Sequence, residues 1–125
     1  MDIIKNNIDL PWNWDLISKN SNITIEFIKK YPNKPWNWDI ISSNPAITMD
    51  IIENNPNLPW DWYWGVSVNP NITIDFIKKY IYKGLDWELL SYNPGITTID
   101  IENNMNLPWN WYYMSQNPNI TIEFI

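Results

Sequence analysis

Five serines recur at near-constant spacing, Ser18, Ser42, Ser67, Ser91 and Ser115, and would be the first residues to test as nucleophiles. A serine hydroxyl attacks at neutral pH only with a base beside it. The 125-residue chain has no histidine and no cysteine, which removes the commonest general base, the commonest transition-metal ligand, thiolate chemistry and disulfides. The acids offer little more. Asp15, Asp39 and Glu88 follow a tryptophan, and Glu26, Asp50, Asp75 and Glu123 follow a threonine by two residues. A paired-carboxylate hydrolase needs two acids facing each other, one with a raised pKa. Acids dealt out one or two per 24 residues give no such asymmetry, and none matches calcium-loop spacing. The chemistry that remains is recognition. Trp12, Trp36, Trp60 and Trp109, each followed by Asn13, Asn37, Asp61 or Asn110, form a candidate interaction surface. Flat indoles beside amides and carboxylates suit protein side chains, or sugars that stack on them. The reading is a non-enzymatic protein with no cofactor and no metal.

These residues sit in a repeat. Pro-Trp-Asn-Trp occurs at 11–14, 35–38 and 108–111, Pro-Trp-Asp-Trp at 59–62, and a degenerate Gly-Leu-Asp-Trp at 84–87. The second aromatic falls at Trp14, Trp38, Trp62, Trp87 and Trp111, with intervals of 24, 24, 25 and 24. A second signature follows each: Asn20, Asn44, Asn69, Asn93 and Asn117 never vary, and Thr24, Thr48, Thr73, Thr97 and Thr121 stand four residues later. Units therefore start near Pro11, Pro35, Pro59, Gly84 and Pro108, after an N-terminal half unit over 1–10, and 1–125 reads as one repeat domain. The single 25-residue interval contains Trp62-Tyr63-Trp64-Gly65-Val66-Ser67, one residue longer than its counterpart, which predicts a bulge or kink.

Each unit predicts two short helices. The threonines suit N-caps of the second helix, with acids in its first turn. In the fourth unit Asp100 stands three residues after Thr97, as in a capping box. An isoleucine precedes every threonine and another follows four residues after it, the spacing of a hydrophobic staple: Ile23 with Ile28, Ile47 with Ile52, Ile72 with Ile77, Ile96 with Ile101, Ile120 with Ile125. The first helix is expected to open with proline in its first turn and to close before Asn-Pro, where the residue before proline leaves the α region. Helices this short are unstable alone, so the units must stack. The fold class expected is all-α, a short-helix αα-repeat solenoid of about five units, roughly 40–50 Å long at the usual spacing of packed helices.

Burial expectations follow. Trp14, Trp38, Trp62, Trp87 and Trp111 persist in every unit and are expected to form the core ladder, with the earlier tryptophans on another side of the helix, either lining a groove or packing between units. The invariant asparagines and the threonines are expected to form a structural ladder, because a buried amide can satisfy loop backbone groups of its own unit and the next. The row Asn13, Asn37, Asp61, Asp86 and Asn110 has a structural reading too, as first-turn partners for free helix N–H groups.

Net charge is −6 with eight lysines and no arginine, which disfavours a phosphate backbone as partner. No nucleic acid and no membrane partner is expected: no apolar run approaches the roughly 20 residues of a membrane span, and the N-terminus does not read as a signal peptide.

The Trp-x-Trp and Asn-Pro-x-Ile-Thr pattern resembles the asparagine- and tryptophan-rich tandem-repeat proteins of giant DNA viruses of the mimivirus-like group. The resemblance spans essentially the whole chain and departs most in the fourth unit, at Gly84-Leu85 and Tyr80-Ile81-Tyr82. It implies a viral, repeat-built protein of the host cytoplasm or the virion, and carries over no catalytic residue. The expected function is a scaffold for protein–protein interaction with host or viral partners. The alternatives are a self-assembling filament or virion component built head to tail, and a carbohydrate-binding module.

Overall fold

The computed structural model describes residues 2–122. Among these residues the chain is all helical, without strands: α1 (Asp2–Lys5), α2 (Trp14–Lys19), α3 (Ile25–Lys30), α4 (Trp38–Ser43), α5 (Met49–Asn54), a π-helical turn (Trp62–Val66), α6 (Ile74–Lys79), a 3₁₀ turn (Ile81–Lys83), α7 (Trp87–Ser91), α8 (Thr98–Glu102) and α9 (Trp111–Met114). No helix among them is long and apolar enough to cross a membrane.

The second helix of each unit starts where its threonine places it. Thr24, Thr48, Thr73 and Thr97 have extended backbone, and their hydroxyls accept from the N–H of Phe27, Ile51, Phe76 and Asp100. Asp100 returns a bond from its carboxylate to the Thr97 N–H, completing the capping box. Both members of the first four isoleucine pairs are buried. In the fifth unit Ile120 is 40% exposed, and the residues that would complete the Thr121 cap and the Ile120–Ile125 pair lie outside those described.

The first helix starts later than the prolines imply. Its N-cap is Asn13, Asn37, Asp61, Asp86 or Asn110, and each side chain accepts a backbone N–H of the first turn. Pro11, Pro35, Pro59 and Pro108 stay outside, each centred in a tight turn where the next tryptophan's N–H bonds two residues back, as Trp36 N–H does to the Lys34 carbonyl at 2.8 Å. An amide or carboxylate at the cap satisfies an orphan donor, which a first-turn proline does not.

First helices of successive units pack on one another: α2 on α4, α4 on the π turn, α7 on α9. Their inward row is Ile17, Ile41, Val66, Leu90 and Met114, all buried. The second helices end on asparagine or tyrosine, and the preceding residues decide which. Where the helix carries phenylalanine, the tyrosine ring lies against it, Phe27 with Tyr31 at 5.1 Å and Phe76 with Tyr80 at 4.6 Å. In α5, which carries Ile51 at that position, and in α8, which carries Asp100, Asn55 and Asn104 donate to the carbonyls of those residues.

The predicted bulge is present. Val66 N–H bonds to the Asp61 carbonyl, five residues back, at 2.8 Å. The extra residue is absorbed in one wide turn, so Val66 still reaches the apolar row and Ser67 the same station as Ser42.

Candidate interaction face

The serines and invariant asparagines meet across unit boundaries. Ser18 Oγ donates to its own helix carbonyl at Trp14 and accepts the Asn37 N–H of the next unit at 3.0 Å. The arrangement repeats as Asp61 N–H to Ser42, Asp86 N–H to Ser67 and Asn110 N–H to Ser91, at 2.8–2.9 Å. Asn44 Nδ2 reaches back to the carbonyls of Ser18 and Asn20, Asn93 to those of Ser67 and Asn69, and Asn117 to those of Ser91 and Asn93. Asn69 reaches three, Ser42, Asn44 and Ile47. Each Oδ1 accepts the N–H two residues on, as Asn69 does from Asn71 at 2.8 Å. Asn71 and Asn119 add amide bonds to the preceding unit. Every one of the bonds between units runs the same way: the donor lies in the later unit and the acceptor in the earlier one. Among the described residues no buried side-chain polar atom lacks a partner. The hydroxyls that resembled nucleophiles are committed to this network, and Ser18, Ser42, Ser67 and Ser91 are buried.

The tryptophan rows are the reverse of the sequence expectation. Trp36, Trp60 and Trp109 are 8%, 7% and 5% exposed, and Trp12 is half-buried. Each turns its indole N–H onto the carbonyl five residues back, at the end of the preceding helix: Asn7, Tyr31, Asn55 and Asn104, at 2.8–2.9 Å. Lying outside the helix, the ring folds under the chain instead of projecting from it. The expected core row is only half-buried at Trp14, Trp38, Trp62 and Trp87, and Trp111 is exposed. Its rings stand edge-on to the next unit's buried tryptophan, Trp14 to Trp36 at 4.9 Å, Trp38 to Trp60 at 5.3 Å and Trp87 to Trp109 at 5.2 Å. Trp36, Trp60 and Trp109 therefore form no exposed surface and no platform for a sugar. Asn13, Asn37, Asp61 and Asn110, the other members of the candidate surface, are helix caps.

One exposed row lies one and two positions past the second tryptophan, with Ile40, Leu89 and Tyr113 half-buried in it. These pairs are Asp15-Leu16, Asp39-Ile40, Tyr63-Trp64, Glu88-Leu89 and Tyr112-Tyr113. Three pairs join an acid to an aliphatic residue, and two, in the third and fifth units, are aromatic. Tyr63 is 66% exposed, Trp64 43% and Tyr112 72%. Tyr113 lies beside Tyr112 at 5.1 Å and Tyr92 at 5.7 Å. The Asp86 carboxylate beside it, with the charge of Glu88, raises the Tyr63 pKa, so the phenol stays protonated next to these acids. On the second helices Lys79 pairs with Glu53 at 3.3 Å, which raises the lysine pKa. Among the described residues no three acids cluster as a metal site would need. Only the repetition of Tyr and Trp at positions that are acid or aliphatic elsewhere marks this face in the sequence.

Comparison with protein-family models, with curated proteins and with solved structures found no match.

Proposed function

We propose that the chain is an αα-repeat solenoid that acts as a non-enzymatic scaffold, docking protein partners on the outer face of its first helices. The observation that carries this reading is a division of labour within each unit. The positions that recur unchanged, Ser42, Asn44 and their equivalents, are consumed by unit-to-unit bonds. The positions that vary between units, 15–16 and their equivalents, include the exposed Tyr63, Trp64 and Tyr112. Solenoids present rows of side chains in this manner, and tyrosine and tryptophan are the residues that anchor protein interfaces. Capture from cell extract tests it: Tyr63→Ser with Trp64→Ser is expected to lose partners that Ile99→Ser, on α8, retains. Equal capture by both variants would contradict the reading.

The one-way ladder favours a second reading, self-assembly. Asn13, Asn20 and Asn22 hold the positions that donate elsewhere, around an open hollow lined by Ile4, Trp12, Asn13, Leu16, Ile17 and Asn20. Ser115, Asn117 and Ile120 hold the accepting positions at the other end. Sedimentation velocity separates the two readings: growth with concentration is expected for self-assembly, and one concentration-independent species contradicts it.

A further inference from the structure

We infer that the partner of the aromatic half of this face is an extended, lysine- or arginine-rich protein segment, its cations seated on the rings of Tyr63, Trp64 and Tyr112 between Asp86 and Glu88. This rests on the scaffold reading and specifies what it binds.

Three observations converge. First, the protein already uses the same chemistry wherever it has a lysine in reach: Lys34 sits over Trp14 at 5.4 Å and Lys83 over Trp62 at 5.5 Å. A cation over an electron-rich ring face is attracted by its quadrupole, most strongly for tryptophan. No lysine among the described residues covers Tyr63, Trp64, Tyr112 or Tyr113, so these rings have no internal cation.

Second, charge is distributed to match. The stretch 84–122 holds Asp86, Glu88, Asp100 and Glu102 and not one of the eight lysines. Lys83, at its border, is drawn away onto Trp62 and Tyr82. A cationic segment approaching the rings meets carboxylates, and the ammonium beside them, that of Lys83, is engaged on Trp62 and Tyr82. Charge complementarity of this kind raises the encounter rate and rejects acidic competitors.

Third, the rings are presented by a built feature. The wide turn over Trp62–Val66 is the one place where the repeat gains a residue, and the two adjacent exposed aromatics, Tyr63 and Trp64, lie within it. Such turns are uncommon and frequently accompany functional sites.

The test is selection of random 12-residue displayed peptides on the whole 125-residue chain, followed by affinity measurement at about 150 mM salt, where long-range attraction is largely screened. The selected peptides are expected to be enriched in lysine and arginine. They should bind Tyr63→Ser with Trp64→Ser about tenfold more weakly, and the charge-only variant Glu88→Gln about two- to fivefold more weakly. Asp15→Asn with Leu16→Ser, on the aliphatic half, should bind them as the parent chain does. Circular dichroism checks that each variant folds, and Glu88→Gln keeps the test decisive if the aromatic pair does not. Peptides without cationic enrichment that still need Tyr63 and Trp64 would overturn the inference and leave the scaffold reading standing. Glycans bound at the same rings would overturn it as well. Cationic peptides that ignore all three aromatic and Glu88 substitutions would reduce the attraction to net charge and overturn it. If no peptide is selected, or none depends on this face, both the inference and the scaffold reading fail.

Discussion

Asn69→Leu is expected to remove about 3–5 kcal/mol of folding stability, at the upper end of what single substitutions cost. The amide is fully buried, donates to carbonyls of Ser42, Asn44 and Ile47, and accepts the Asn71 N–H. Leucine matches the branching of asparagine but is larger, so none of the loss comes from a cavity. It comes from backbone groups stranded away from water, at about 1–3 kcal/mol each. Asn69→Asp should be at least as damaging near neutral pH, because a carboxylate cannot donate to those carbonyls and would bury a charge among them. Asn20→Leu is the control. That residue is exposed and makes a single local bond, to the Asn22 N–H at 2.8 Å, so about 1 kcal/mol or less is at stake. Urea unfolding of the three variants gives the comparison. Equal losses at positions 20 and 69 would mean that the asparagine acts within its own turn and does not bind units together.

Gly65→Ala is expected to cost about 3 kcal/mol, more than a surface helix glycine would ever cost in this direction. Alanine normally stabilises a helix. Here an added Cβ would stand 2.5 Å from Ser42 Cβ and 2.7 Å from the Asp39 carbonyl oxygen. Neither is the end of a flexible side chain, so α4 and the wide turn would have to separate, and overpacking of that kind costs about 1–3 kcal/mol before any ladder bond is lost. The Asp61 N–H to Ser42 Oγ bond at 2.9 Å lies across the same boundary and would lengthen with it. Gly84→Ala provides the contrast. Gly84 has φ +87 and open space around it, so its cost is conformational and about 1 kcal/mol. Thermal unfolding of both variants should rank Gly65→Ala as the less stable. The opposite order would show that the two helices tolerate separation.

The helical character and most helix boundaries were legible in the sequence because short-range chemistry sets them. Threonine followed by an acid at two or three residues, isoleucine on either side, and asparagine before proline each act within a few residues. The wide turn was legible for the same reason: one extra residue beside a glycine has to go somewhere. The tryptophan rows were not, because their burial is decided between units. Two indoles two residues apart look alike in composition, and the expectation that Pro-Trp starts the helix put the first on the wrong side. One signal was there. The fourth unit replaces the first tryptophan by Leu85, which is buried, whereas an exposed recognition ring would have no reason to become aliphatic. The structural role of the serines was not legible either. Their recurrence was noted, but a hydroxyl that accepts a backbone N–H from 19 residues later has no local sequence signature. The aromatic face was visible only as the pairs Tyr63-Trp64 and Tyr112-Tyr113 departing from the repeat, a departure that acquires meaning once the constant positions are seen to be occupied.

Side-chain amide hydrogen exchange, resolved residue by residue by NMR, reports most directly on whether asparagines of one unit are bonded into the unit before it. The Nδ2 protons of Asn44, Asn69 and Asn93 should exchange orders of magnitude more slowly than those of Asn20, and Asn69 most slowly of the three. Fast and uniform exchange across all four amides, in a chain that is otherwise folded, would contradict the ladder and with it the stacking of the units.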